Sequence, residues 1–436
     1  MPITLNTPPT PSVIDPTGPI APSDEADRRI LTNERMFVGQ RRGLVSPNTG
    51  AARLLPLPKV MASPPTVTPG TSGGASAISS SILWSSLGVG TSPNDSLFNF
   101  YGPPPMVGPT FPNNGYISPL WTQGYGIIDR ANGWAVEFDF YGDKFELEIK
   151  GNGLRYQLEI DREVDDWQGR IDAPADGGRY RILYDFGSAG FRRVRFNFDG
   201  GISFGGIRTG PNHTVWKPMS DRGPRVIITG DSFTESWRSW TRTLAYMMGW
   251  KDVWTVGKGS TGYVDTNTGA DTYRDRAPKD IYPWNPDIVI VSGGINDTST
   301  SPALVNAEAQ TFFREIRANC PNAALIVSGC QWSFGSPIST TIQTRDAIRS
   351  AATPENGVAL YIEQLGGPYP YSGVIANYVD TGWMTGTGRV GATTGVGNSD
   401  IFRSSDTTHP TQEGHDYRGY RHAAAITAAM PVLGTY

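Results

Sequence analysis

From residue 225 the chain reads RVIITGDSFTES, and positions 226–229 are four consecutive apolar or β-branched residues. Such a run is how a strand buried on both faces of a parallel sheet reads. Gly230 breaks it, Asp231 and Ser232 follow, and a helix-like mix of polar and aromatic positions continues to about residue 248. The same texture recurs downstream. DVWTVG (252–257), DIVIVSGG (287–294), ALIVSGC (324–330) and VALYIEQL (358–365) are strand-like, while 303–318 and 342–352 carry helical periodicity and a last helix runs to about 430. Strands alternating with helices predict a three-layer α/β domain around a parallel sheet. In such sheets ligands bind at the carboxyl edge, and there Ser232 stands between a strand end and a helix start, among free N–H groups. Simple capping of that helix by Asp231 or Ser232 explains the same residues.

The chain before residue 215 has a different period. GWAVEFDFYG, DKFELEIKG, LRYQLEIDRE, GRYRILYDF, FRRVRFNFD and GISFGGIRTG alternate every second residue between Gly, Asp or Asn turns. This spacing predicts an antiparallel β-sandwich or jelly roll over residues 76–215. Val136, Phe138 and Phe140 would face its core, with Ala135, Glu137 and Asp139 on the wet face. Its tryptophans and tyrosines suit either core packing or stacking on sugars. Residues 1–75 are rich in Pro, Ser and Thr around one charged patch at 23–42, a composition that cannot bury enough surface to fold alone. The expected organisation is an extended arm (1–75), a sandwich (76–215) and an α/β domain (216–436). Within the last, the Gly- and Thr-rich stretch 366–400 is too long for a routine connection and is expected to form a lid or binding loop.

Composition narrows the function. With 436 residues, 38% hydrophobic, 52 Gly and 35 Pro, the chain suits β-structure and long loops rather than a helical bundle. A net charge of −4 gives no footprint for nucleic acid or an anionic membrane. No run approaches the ~18 apolar residues of a membrane span. The opening MPITLNTPPTP lacks the basic and apolar regions of a signal peptide, so synthesis in the cytoplasm is expected. Cys320 and Cys330 exclude a disulfide framework and are expected to be buried thiols, and His213, His409, His415 and His422 form no zinc pattern.

Three strand ends and one late turn carry the chemistry. A serine hydroxyl is a poor nucleophile without an adjacent base, and the base needs an orienting acid. His409 supplies the base and Asp406, three residues earlier, the acid; Pro410 fixes the backbone behind them and is expected to open the last helix. A tetrahedral intermediate also needs donors aimed at its oxyanion. The candidates are the Ser232 N–H, the Gly259 N–H in the loop GKGSTGY, and the Asn296 amide, with Gly262 the alternative glycine. Asp231 and Asp297 are expected to support these groups rather than react. His415 and His422 are expected at the surface or in packing, and His213 has no assigned role.

Gly230-Asp231-Ser232, Gly259, Gly294-Ile295-Asn296-Asp297 and Asp406-Thr407-Thr408-His409-Pro410, in this order over residues 225–430, resemble the four blocks of the SGNH (GDSL-type) hydrolase family. The resemblance implies a flavodoxin-like sheet and an esterase or deacetylase without metal or organic cofactor. By the same resemblance Ser232, Asp406 and His409 match the triad, and Ser232, Gly259 and Asn296 the oxyanion hole. Two positions depart from pattern: Thr255 stands near where the family often has Asn before the glycine loop, and Thr234 fills the last place of G-x-S-x-G, which argues against an α/β-hydrolase. A sandwich directly before such a domain resembles certain carbohydrate esterases, and a Pro-rich arm resembles phage or phage-like particle proteins that attach by their N-termini. Together these imply a homo-oligomeric, virion-borne enzyme removing O-acetyl groups from a host surface polysaccharide, with other particle proteins bound through the arm. The rivals are a polysaccharide-binding module with little turnover, a lipid or thioester hydrolase, and a structural particle protein.

Overall fold

A computed structural model of the chain describes residues 54–88, 93–106, 116–119, 133–151, 153–219, 222–266, 271–332, 337–365, 375–376 and 382–433. Its first part is built on two long strands, β7 (Trp134–Lys150) and β10 (Arg179–Phe198), which run antiparallel with a register shift between Asp185 and Gly190. Around them lie β1 (Lys59–Val60), β2 (Thr66–Pro69), β3 (Ile82–Ser85) and β4 (Asn99–Tyr101). β8 (Tyr156–Ile160), β9 (Glu163–Val164), β11 (Phe204–Thr209) and β12 (Thr214–Trp216) complete a ten-stranded sheet, and β5 (Pro105–Met106) pairs with β6 (Ser118–Pro119) apart from it. One half of β7 pairs with β4 and β12, the other with β11; β10 divides likewise between β8 and β2. Both halves share one aromatic core, in which Phe145 lies 5.8 Å from Phe138 and 6.0 Å from Phe196, ring to ring.

Three features of this part depart from the pattern read in the sequence. The strands form one continuously hydrogen-bonded sheet, because β7 and β10 are long enough to belong to both halves. The sheet also begins before residue 76: β2 pairs with β10 from Thr66↔Asp185 to Pro69↔Ile182, so the end of the expected arm is an edge strand. Short edge strands ending in Pro leave no alternation long enough to read. Finally, Glu137 is buried rather than wet, accepting from Tyr101 Oη at 2.7 Å and pairing with Lys251 Nζ at 2.9 Å. Lys251 belongs to the second domain, whose docking covers this face. The charged patch at 23–42 lies outside the described residues.

The second part is a six-stranded parallel sheet in the order β14 (Asp252–Thr255), β13 (Arg225–Gly230), β15 (Ile288–Ser292), β16 (Ala324–Ser328), β17 (Val358–Ile362), β18 (Ile375–Ala376). Alternate residues of β13 feed opposite layers. Ile227 packs in a core with Phe312 and Ile348 from α3 (Pro302–Asn319) and α4 (Ser339–Ala351), beside α2 (Tyr273–Asp280). Val226 and Ile228 pack with Leu244 and Ile426 from α1 (Trp240–Met248) and α6 (Gln412–Leu433). A one-turn helix, α5 (Ser399–Phe402), precedes the last turn.

The helix expected directly after Ser232 starts only at Trp240, with Ser239 as its N-cap, so neither Asp231 nor Ser232 caps it. Residues 231–239 instead turn repeatedly, with Thr234 N–H on Asp231 O and Ser239 N–H on Ser236 O. Pro410 likewise lies outside α6, where the Thr411 hydroxyl takes the Gly414 N–H at 3.0 Å. Of the long stretch 366–400, residues 366–374 and 377–381 are outside the described set; Trp383 is buried, edge-on to His422. His422 is buried too, stacked on Trp240, and both cysteines are buried free thiols. Among the described residues no helix is long and apolar enough to cross a membrane.

Candidate active site

β13 is flanked by parallel strands on both sides, and its carboxyl end lies at the sheet rim one strand in from the edge strand β14. Gly230 is required there: a Cβ would stand 2.2 Å from the Ser292 carbonyl oxygen of β15. Buried Arg276 ties this rim together, donating to the carbonyls of Val256 at 2.7 Å and Gly230 at 3.2 Å while pairing with Asp280. Asp231 is fully buried, with the Phe233 N–H on Oδ1 at 3.0 Å and the Tyr273 hydroxyl on Oδ2 at 3.3 Å. Burial pushes its carboxyl up to about 7, against the pull of those two donors. This side chain shapes the turn that presents Ser232.

His409 arrives from a surface turn. Its Nε2 lies 2.9 Å from Ser232 Oγ, across 177 residues of sequence, and its Nδ1 lies 2.7 Å from Asp406 Oδ2. The other carboxylate oxygen, Oδ1, accepts three donors: Ser404 Oγ at 2.7 Å and the Thr408 and His409 N–H groups at 2.9 Å each. Burial pushes the Asp406 carboxyl up, but these hydrogen bonds together with the one from the His409 ring outweigh it and hold the group well below the usual carboxylate range. Thr407 takes a left-handed φ of 71° to let the turn close, a conformation that costs a β-branched residue. Phe233, 5.6 Å from the His409 ring, forms one wall, and the Arg418 guanidinium lies over the Phe233 ring, 5.1 Å from its centroid.

The loop after β14 supplies the remaining groups. Asp297 is buried and accepts the N–H groups of Tyr263, Val264 and Asp265 at 2.9, 3.0 and 2.8 Å, which pins the loop against the 3-10 turn Ile295–Asp297. Asn296 Nδ2 donates one hydrogen to the Thr261 carbonyl at 2.8 Å, and a carboxamide has a second to offer. The two glycines separate in space. A Cβ on Gly259 would lie 3.6 Å from Ser232 Cβ, whereas one on Gly262 would strike Asp297 Oδ2 at 2.4 Å. Gly259 is therefore beside Ser232, and Gly262 is packed on the loop's anchor. The Gly259 N–H is already engaged, donating to Glu235 Oε2 at 2.9 Å.

Ser232, His409, Asp406 and Gly259 thus come together at one rim, with Asp231 and Asp297 holding the segments that carry them. The sequence pattern missed Phe233, Glu235, Arg276 and Ser404. Glu235 lies in a stretch that reads as helical, whereas the helix starts five residues later. Ser404 carries a weak signal, two residues before an Asp in a turn. A cavity of about 650 Å³ lies elsewhere, between the first sheet and α1, lined by Trp134, Glu137, Arg195, Trp237, Arg242 and Lys251 among others, and no triad candidate borders it.

Residues 228–417 match the model of the GDSL-like Lipase/Acylhydrolase family. Comparison with curated protein sequences found no match. Among solved structures, the chain is similar to a family two carbohydrate esterase from Cellvibrio japonicus at 12% identity and TM-score 0.54, covering 84% of this chain and 99% of that one. A family two carbohydrate esterase from Clostridium thermocellum in complex with cellohexaose matches at 14% identity and TM-score 0.52, over 69% of this chain and 93% of that one. The salicylyl-acyltransferase SsfX3 from a tetracycline biosynthetic pathway matches at 15% identity and TM-score 0.50, over 77% of this chain and 97% of that one. At these identities the likeness is one of fold, and it extends over both parts of the molecule. Residues 228–417 are a GDSL-like acylhydrolase domain, and the protein that carries them is an esterase or acylhydrolase.

Proposed function

We propose that this protein is a serine esterase that removes O-acetyl or other short acyl groups from a polysaccharide. The observation that carries the reading is the unbroken relay from Ser232 Oγ through His409 to Asp406, at 2.9 and 2.7 Å. In it, Asp406 accepts from Nδ1–H, which leaves Nε2 unprotonated and aimed at the hydroxyl. Ser232 Oγ attacks the ester carbonyl carbon and passes its proton to Nε2. The Asp406 carboxylate stabilises the imidazolium. The oxyanion of the tetrahedral intermediate is met by the Ser232 N–H, the second Asn296 amide hydrogen and the Gly259 N–H. Collapse expels the sugar alkoxide, which takes the proton from Nε2, and leaves acyl-Ser232; a water activated by His409 then releases the acid.

The polysaccharide part of the proposal is supported by the carbohydrate esterases of similar fold, one of them holding cellohexaose. A jelly-roll-like module over residues 54–215 would flank the cleft, beside the hydrolase at 216–436. The Pro-rich stretch before residue 54 would act as an attachment arm to a virion or virus-like particle, its support being composition alone. Acetate release from a panel of acetylated polysaccharides tests the substrate class. Ser232→Ala should abolish release, and full activity in that variant overturns the assignment.

A further inference from the structure

We infer that Arg403 is a positioning residue of this reaction: its guanidinium holds the Thr407–Thr408 peptide in the orientation that aims Asp406 at His409. The inference rests on the esterase reading above. The turn that carries acid and base is closed by the Ser404 N–H on His409 O at 2.9 Å, and within it Thr407 takes a φ of 71°. Left-handed backbone is unfavourable for a β-branched side chain, so the turn needs a hold on that residue. Arg403 provides one: its Nε donates to the Thr407 carbonyl at 2.8 Å, and its Nη2 reaches the same oxygen.

The N–H and C=O of a trans peptide point in opposite directions. Arg403 holds the carbonyl of the Thr407–Thr408 peptide, while Asp406 Oδ1 accepts its N–H at 2.9 Å. Turning this peptide over breaks both bonds. It strips one of three donors from the carboxylate whose other oxygen faces His409 Nδ1 at 2.7 Å. A charged donor grips a carbonyl roughly twice as strongly as a neutral one. The same side chain carries the support outward. Its Nη1 reaches the Thr387 carbonyl at 3.5 Å, and the Arg403 carbonyl accepts the Val390 N–H at 3.0 Å. The end of the Gly- and Thr-rich stretch thereby braces the acid and the base. Glycine at 407 would take the left-handed conformation without strain and need no such grip.

The test is a double-variant cycle in the full-length protein, with Arg403→Gln, Thr407→Gly and the two combined, read as kcat and KM on p-nitrophenyl acetate. Expected for Arg403→Gln is a fall in kcat of about tenfold to a hundredfold with KM within about twofold, because a misaimed base slows chemistry and leaves binding intact. Thr407→Gly should stay within about threefold of wild type, and in its background Arg403→Gln should cost less than about threefold. The downfield 1H resonance of the His409 Nδ1–H should weaken in Arg403→Gln and return in the double variant, a readout that needs no turnover. Equal losses in the two backgrounds, no loss from Arg403→Gln, a change confined to KM, or an inactive Thr407→Gly each overturn the inference. A general folding defect of Arg403→Gln would persist in the glycine background and so counts against it. Ser232→Ala run alongside separates this from failure of the esterase reading, since activity surviving there would remove the reaction itself.

Discussion

Asp406→Asn is the sharpest perturbation of the relay, because the surrounding donors dictate how the amide must sit. Oδ1 is held by three donors, Ser404 Oγ and the N–H groups of Thr408 and His409. An asparagine at this position places its carbonyl oxygen there, since an NH2 group would face three donors. Its NH2 then points at His409 Nδ1, 2.7 Å away in the wild type, and must find a lone pair. The imidazole is forced into the tautomer with its proton on Nε2, aimed at Ser232 Oγ. A base already protonated on that nitrogen cannot accept the serine proton. Losing general-base catalysis removes about 10²–10⁴ in kcat, or roughly 2.7–5.4 kcal/mol of transition-state stabilisation. Stability should barely move, because the side chain is half exposed and its three donors stay satisfied. Steady-state hydrolysis of p-nitrophenyl acetate measures the effect, with KM nearly unchanged. Asp406→Ala is the informative companion: water can accept from Nδ1–H there, so the productive tautomer survives and kcat should fall less than in the asparagine variant. An asparagine variant retaining a tenth or more of wild-type kcat would refute the tautomer reasoning.

Asn296→Ala removes the amide proposed as an oxyanion donor and should lower kcat by about 10²–10³ on any ester; a loss below threefold in the same assay would remove Asn296 from that role. Asp231 provides a pH test of stability. Burial raises its carboxyl to about 7, so between roughly pH 4 and 7 the folded chain binds a proton that the unfolded chain has released, and stability falls as pH rises through this window. Asp165 and Asp199, raised by burial to about 7 and about 6, act in the same direction. Asp231→Asn should therefore lose less stability than wild type between pH 5 and 8, by up to about 1.4 kcal/mol per pH unit within the window. Thermal denaturation at the two pH values checks it, and equal losses in the two proteins contradict it. His415 and His422, lowered by burial to about 3, oppose this trend at acidic pH but cancel between wild type and variant.

What the sequence made legible follows the range of the interactions involved. The runs at 226–229, 288–291 and 324–327 are apolar or β-branched throughout because both faces of a parallel strand paired on both sides are covered, and each became such a strand. Ser232, His409 and Asp406 could be picked out because the chemistry of acyl transfer restricts residue type, and the structure sets them within hydrogen-bond distance. The turn at 231–239 was hidden, since its Ser and Thr residues suit either a helix start or a succession of turns. The burial of Glu137 depends on Lys251, 114 residues away, and no local alternation encodes that contact. The engagement of Gly259 by Glu235 is a contact of the same kind.

The two halves of the relay are mounted on very different supports. Ser232 follows a buried strand paired on both sides, whereas Asp406 and His409 occupy a turn whose side chains are 51% and 41% exposed. Segments with exposed hydrogen bonds and few apolar contacts open at lower free energy than a sheet interior. On heating, the enzyme should therefore fall silent while its tryptophans still report a folded core, and recover at once on cooling.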